Sequence, residues 1–235
     1  MLQQQNKTPC SYFKECGGCS FLDLSLESYQ AKKEALLDKH LSNSSNSNQY
    51  PNINWIWVGP HSRRKVTLQI SNENSLGFFA AKSNNIIAVS NCFVAEKEIS
   101  DFILPLKKFL QHQEQNLFTH AVLTLFDNGL DLVFKTKKEL SFTQAQKLLN
   151  FAKEQDINVS HLFDGYLAPI LLLRKNKIFY PKFDISLAPN IFIQATKLGL
   201  DSISYIIRKF LTGHPDIKNV ADIYSGYGAY SFAIH

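Results

Sequence analysis

The spacing of apolar residues divides the chain into short blocks. Tyr29–Leu41 (YQAKKEALLDKHL) sets Ala31, Ala35, Leu36, Leu37 and Leu41 roughly on one side with lysines on the other, which predicts a short helix. It runs into SNSSNSNQYPN, a polar low-complexity linker from Ser42 to Asn52. In RRKVTLQI, Val66, Leu68 and Ile70 alternate with Lys65, Thr67 and Gln69, the pattern of a half-buried strand. Turn-rich stretches then separate it from Leu76–Ala80 and Ile86–Val89, so three short strands form a meander.

Further on, the spacing predicts a helix over Glu96–Gln111, interrupted by Pro105. THAVLTLF and LDLVFKT read as two strands joined by Asp127-Asn128-Gly129, a strong hairpin signal. Ser141 with Gln144 three residues on predicts a capping box for a helix reaching about Gln155. Strand-like pieces follow at Asn158–Phe163, Ile170–Leu173, Lys177–Tyr180 and Ile191–Gln194. Thr196–Leu211 is amphipathic and helical, and Val220–Tyr224 reads as an apolar strand before a glycine-bearing turn and the start of a helix. These elements together make an α+β chain.

At 235 residues the chain accommodates one large domain or two smaller ones, with 45% hydrophobic and 19% charged residues. The net charge of +5 suits an anionic partner such as nucleic acid, although many proteins that bind none are equally basic. Arg63, Arg64, Lys65 and Lys82 are candidate phosphate contacts, although any single one of them reads more readily as part of a solvated strand face. The start, MLQQQNKTP, lacks the layout of a signal peptide, and the longest apolar run, around Leu167–Leu173, is too short to span a bilayer and contains Pro169. The expectation is a cytoplasmic protein with no membrane partner. Its cysteines would then be reduced, which favours metal binding or catalysis over disulfides.

Three of the four cysteines fall in CSYFKECGGCSF, at Cys10, Cys16 and Cys19, and the fourth is Cys92. A C-x2-C pair brings two thiolates to one metal centre through a tight turn. Gly17 and Gly18 are expected to give that turn positive φ and to let backbone N–H groups approach the sulfurs. Cys10 can wrap back as a third ligand, and Cys92 follows the meander, where folding can deliver it. Four thiolates suit a [4Fe–4S] cluster or a zinc ion; the spacing departs from the usual zinc pattern of two C-x2-C pairs and leans toward iron–sulfur. Four unligated thiols are the bland alternative. The histidines at 40, 61, 112, 120, 161 and 214 show no ligand spacing.

DIYSGYGAYSFAIH has the form strand, G-x-G, helix, in which absent side chains let a nucleotide-like ligand approach the backbone. Such glycines also make ordinary turns. Asp222 is polar where an apolar strand residue is expected, pointing to a hydrogen bond that is structural or faces a ligand.

Together these segments resemble the RNA uracil-5-methyltransferases, S-adenosylmethionine-dependent class I enzymes many of which carry a [4Fe–4S] cluster. CSYFKECGGCSF resembles the family's C-x5-C-G-G-C motif and YQAKKEALL its trailing helix. SRRKVTLQI and SLGFFA resemble strands of its central domain, and SNCFVAE the segment with the fourth cysteine. FIQAT resembles the F-x-Q-x-N element, with Thr196 in place of Asn. VADIYSGYGAYSF resembles the S-adenosylmethionine motif, with Ala229 where Asn is frequent. The resemblance implies Cys10, Cys16, Cys19 and Cys92 as cluster ligands, and Gln194, Tyr224, Gly226 and Gly228 as a partial S-adenosylmethionine site.

The resemblance also implies an organisation. Residues 1–52 form a cysteine-rich iron–sulfur lobe and linker, 53–182 a β-rich central domain, and 183–235 the start of a Rossmann-like methyltransferase domain with only its first strand. The family's reaction adds a cysteine thiolate to uracil C6, methylates C5 and removes the C5 proton with a base. Both groups lie downstream of the glycine motif in the family, so no catalytic residue is assigned here. The expectation is the N-terminal part of an RNA uracil-5-methyltransferase, a truncated product or half of a split gene. Its partners would be RNA, ribosomal ahead of transfer RNA, and a complementary C-terminal methyltransferase polypeptide. The alternative is an iron–sulfur or zinc RNA-binding module, or a remnant without activity.

Overall fold

The structure, a computed structural model, describes residues 8–42 and 53–234. The expected linker after Ser42 lies outside the described residues. A first helix, α1 (Leu26–Ser42), coincides with the predicted one but buries no residue. Strands β1 (Lys65–Ile70), β2 (Leu76–Phe79) and β3 (Ile86–Ala88) form the expected antiparallel meander. Helix α2 (Lys97–Gln111) follows, then β4 (Phe118–Phe126) and β5 (Gly129–Thr136), paired antiparallel with Phe126 opposite Gly129. Helix α3 (Phe142–Glu154) opens with the expected capping box: Ser141 Oγ accepts from the Gln144 N–H, and Gln144 Oε1 from the Ser141 N–H.

With β6 (Asn158–Phe163) and β7 (Tyr166–Leu171) these strands make one seven-stranded sheet, ordered β3-β2-β1-β4-β5-β6-β7. Every pairing is antiparallel except β5 with β6, where α3 makes the crossover that a parallel pair requires. Both α2 and α3 lie on one face, and Phe109 stacks on Phe151 between them at 4.3 Å. Leu68, Leu123, Leu132 and Phe134 from the sheet meet Ile99, Ile103, Leu106 and Leu110 from α2, all fully buried. That packing explains why Pro105 does not interrupt α2 as the sequence suggested. The missing N–H costs about 3 kcal/mol, and burying Ile103 and Leu106 against the sheet offsets it.

Four other segments depart from expectation. The seventh strand begins at Tyr166, earlier than Ile170, because Asp164 (φ 47°) and Gly165 (φ 78°) form a two-residue turn that pairs Phe163 with Tyr166. A second, two-stranded sheet, β8 (Asn176–Tyr180) and β9 (Phe183–Leu187), includes a strand that the spacing did not suggest. It docks on the turn of the β4–β5 hairpin. The Asp127 N–H donates to the Lys177 carbonyl at 2.9 Å, Asn128 Oδ1 accepts from the Lys177 N–H at 2.8 Å, and Asp127 Oδ2 from the Phe179 N–H at 2.8 Å.

Ile191–Gln194 is not a strand. Carbonyls along this stretch are taken by the start of β1 instead: Lys65 Nζ donates to those of Asn190 and Ile191 at 3.0 and 2.9 Å, and the Arg64 N–H to that of Ala195 at 2.9 Å. Ile193 is pressed into a small second core with Phe126 and Ile178.

Helix α4 (Lys197–Gly213) is capped by Thr196, whose Oγ1 accepts from the Gly199 N–H at 3.1 Å. Val220–Tyr224 is not the expected first strand of a Rossmann-like sheet. Among the described residues no strand lies beside it, so its backbone groups have no ladder, and Val220 and Ile223 are exposed. Helix α5 (Ala229–Ile234) follows the glycine turn as anticipated. No helix among the described residues is long and apolar enough to cross a membrane.

Candidate cysteine cavity and glycine turn

The cysteine loop is pinned to the sheet by its backbone. The Gly17 N–H donates to the Phe79 carbonyl at 2.8 Å, at the end of β2, and Cys16 bridges to Ala80. A Cβ on Gly17 would sit 2.9 Å from the Phe79 oxygen, so close approach demands glycine there. This corrects the expectation that Gly17 and Gly18 adopt positive φ; in this loop Lys14 takes that conformation, at 75°. The Gly18 N–H does reach sulfur, 3.4 Å from Cys16 Sγ. Tyr12 ties the loop to the fourth cysteine's segment, its hydroxyl accepting from the Ser90 N–H at 3.0 Å. The Cys92 N–H in turn donates to Ser100 Oγ at 3.0 Å, on the first turn of α2.

Through these contacts Cys10, Cys16, Cys19 and Cys92 line one cavity of about 380 Å³, walled by Phe78 and Val89 and edged by Arg63. All four are half-buried free thiols. Burial, then the neighbouring Cys92, Cys16 and Cys10, pushes the Cys19 thiol up to about 11, with Arg63 pulling the other way. Cys16 is raised by burial against the hydrogen bond from Gly18. The thiols therefore sense one another's charge. They do not converge on one ion position: among the described residues no three His, Cys, Asp or Glu side chains form a group that could hold a metal ion as they stand.

The basic run at the start of β1 serves structure more than was expected. Arg64 is buried, with NH2 donating to Asp127 Oδ1 at 2.7 Å and Nε to the Leu125 carbonyl. Lys65 is spent on Asn190 and Ile191, and burial lowers its pKa. Arg63 and Lys82 remain exposed. Beside them Asp131 is fully buried and accepts from Asn176 Nδ2 at 3.1 Å; burial pushes its carboxyl up to about 6.

Gln194 lies half-buried next to Ile193, and the second core that holds Ile193 also receives Tyr227 from the glycine turn. Tyr227 meets the Tyr180 hydroxyl at 3.4 Å, and burial raises both phenols. The structure thus brings the Gln194 stretch and the turn to one cluster. Tyr224 (φ 61°), Gly226 (φ 59°) and Gly228 (φ 80°) take left-handed conformations, so the turn is sharp. It is also open, since Tyr224 is wholly exposed and nothing lies within 4 Å of a Cβ added at Gly226. Asp222 proves structural: its Oδ2 accepts from Ser231 Oγ on α5 at 2.8 Å.

No family model matches the chain. Its similarity to known proteins is nevertheless consistent. The curated proteins it resembles are 23S rRNA uracil-C5-methyltransferases. It is 29% identical over 239 residues to the 23S rRNA (uracil(1939)-C(5))-methyltransferase RlmD of Shewanella woodyi, covering 96% of this chain and 53% of that protein. To the same enzyme of Shewanella baltica it is 28% identical over 243 residues, with the same coverage. The chain therefore spans about half the length of the curated relatives it matches. The fold is shared with the Pyrococcus abyssi tRNA (uracil-54, C5)-methyltransferase solved with S-adenosyl-L-homocysteine, at a TM-score of 0.66 and 16% identity, covering 92% of this chain and 55% of that one.

Proposed function

We propose that this chain is part of an RNA uracil-C5-methyltransferase that uses S-adenosylmethionine and acts on ribosomal RNA. The reading rests on one observation: the relatives that match 96% of the chain are 23S rRNA uracil-C5-methyltransferases. The domain division expected from the sequence is part of this reading, with the cysteine lobe before the β-rich sheet and residues from 183 opening a methyltransferase domain.

The cysteine cavity fits a [4Fe–4S] cluster. A cluster spreads its thiolates over four iron atoms and needs volume among them, whereas a zinc ion needs four sulfurs closing on one point. Four half-buried thiols around about 380 Å³, with the Gly18 N–H directed at sulfur, suit the first. Cys10, Cys16, Cys19 and Cys92 would hold it, cross-linking the N-terminal loop to the α2 side of the sheet. Gln194, Tyr224, Gly226 and Gly228 would hold S-adenosylmethionine, which supplies the methyl group when bound. In support, Ile193 and Tyr227, neighbours of these residues, meet in the second core, and the left-handed turn leaves its backbone open.

All four cysteines of the sequence line the cavity, so no thiol among these residues is assigned to attack uracil C6. The apolar residues exposed along α4 support a further protein surface covering that side, from a longer chain or a separate C-terminal polypeptide.

Two measurements test the reading. Anaerobic purification should yield about four iron and four sulfide per chain; one zinc and no iron would overturn the cluster. Labelled S-adenosylmethionine and unmodified ribosomal and transfer RNA are then supplied to the chain, alone and with a polypeptide matching the rest of a relative's length. Label at uridine C5 of ribosomal RNA is expected only in the supplemented reaction. Incorporation by the chain alone would overturn the assignment of all four cysteines, and no cofactor or RNA binding in either reaction would overturn the function.

A further inference from the structure

Outside both sites, a row of aromatic rings runs along the surface beside the cysteine cavity. Phe21, two residues after Cys19, contacts Tyr29 of α1 at 6.1 Å between centroids; Tyr29 meets the edge of Trp57 at 5.7 Å; Trp57 stacks on Trp55 at 5.1 Å with the planes 10° apart. All four are only half-buried, and α1 buries nothing. Lys32 Nζ sits 4.8 Å and Lys33 Nζ 5.4 Å from the Phe21 centroid, and neither lysine has an ion-pair partner among the described residues. Phe21, Leu26, Tyr29 and Val58 also line an open groove of about 490 Å³ that reaches Cys19.

The charge on α1 is sorted by face. At 3.6 residues per turn, Glu27, Glu34 and Asp38 fall on one side, while Tyr29, Lys32, Lys33 and Lys39 fall on the other. A helix that merely staples itself to a neighbour through Tyr29 has no need of that segregation, nor of a second indole stacked beyond the first. Flat, half-open rings bordered by unpaired lysines are what unpaired bases and their phosphates require: every base has a π-face, and a lysine beside it neutralises the backbone.

We infer that Trp55, Trp57, Tyr29 and Phe21, with Lys32 and Lys33, form a stacking platform for unpaired bases of RNA. This rests on the reading of the chain as part of an RNA-modifying enzyme and names where single-stranded substrate lies against it. A duplex keeps its bases stacked inside and presents no face to the platform. The preference for single strands follows.

The two tryptophans are the only ones in the sequence, so the protein's own fluorescence reports the platform. The full chain is titrated with a single-stranded RNA oligonucleotide and with a duplex of equal length. The expected result is quenched tryptophan emission with the single strand and little with the duplex. Trp55→Ala should weaken single-strand binding about tenfold, and Trp55→Tyr should restore most of it. Lys32→Gln should lower the slope of log affinity against log salt by about 0.7. Equal quenching by duplex, or unchanged affinity in Trp55→Ala, would overturn the platform. Should Trp55→Ala fail to fold, Trp55→Tyr and the quenching of the unaltered chain still decide. Cofactor and cluster measurements are independent: a chain that holds both yet binds RNA without Trp55 loses the platform and keeps the function. A chain that binds single strands through Trp55 but takes neither does the reverse.

Discussion

Helices α2 and α4 carry comparable apolar stripes and meet opposite fates. On α2, Ile99, Phe102, Ile103, Leu106 and Leu110 are buried against the sheet; on α4 only Leu200 and Ser204 are buried, while Leu198, Ile203, Ile206 and Phe210 stand exposed. Amphipathic spacing says which face of a helix prefers to leave water, and nothing about whether a partner is there to receive it. The first helix is part of the core. The second is held at its start, by the Thr196 cap and by Lys197 facing Asp127 at 3.5 Å, and at Arg208, which donates to the Ala233 carbonyl of α5.

Arg64→Ala should break this contrast most severely, because it strands Asp127 beneath both the hairpin turn and the start of α4. Removing one partner of a buried pair costs roughly 3–5 kcal/mol, read as a lower denaturant midpoint. Leu106→Ala tests the packed helix directly and should cost about 3 kcal/mol, whereas Ile206→Ala on α4 should stay within about 0.5 kcal/mol. Equal losses at the two sites would mean that α4 is packed in solution.

Acidity sharpens the same boundary, since Asp131 sits where the sheet meets the 190–195 stretch leading to α4. Its folded carboxyl, raised from 3.8 to about 6, holds a proton more tightly than the unfolded one. The extra stability is present below pH 4 and is lost as pH rises to about 6, by roughly 2–3 kcal/mol. Urea midpoints measured across that window should fall in the parent chain and flatten in Asp131→Asn.

Smallest is the pair of caps. Ser141→Ala on α3 should lower global stability by about 1 kcal/mol. Thr196→Ala on α4 should instead speed hydrogen exchange of the α4 amides with less effect on the global midpoint.

The parts legible in the sequence were those where local chemistry and packing agree. Val66, Leu68 and Ile70 alternate because one face of β1 is buried, and Ser141 with Gln144 closed the box that their spacing promised. The four cysteines were legible as a set, although why Gly17 is needed depends on the β2 backbone 62 positions away, which no local pattern reveals. Arg63, Arg64 and Lys65 looked alike as a basic run, but neighbouring residues on a strand face opposite ways and entered three different surroundings. Asp164-Gly165 carried a hairpin signal that was in plain sight, and reading it would have placed β7 correctly. Trp55 and Trp57 have no periodicity to mark them; only the fold lays their rings side by side.

The docking of the cysteine loop also has a clock. Seventy-two residues separate Cys19 from Cys92, an interval of roughly 4 to 14 seconds at ordinary rates of synthesis. During it the first three thiols leave the ribosome with neither their fourth companion nor the end of β2, whose Phe79 carbonyl receives Gly17. A newborn loop has nothing to dock against until the meander has formed behind it. The cavity therefore closes only once the meander has formed and Cys92 has been made, and whatever fills it arrives no earlier.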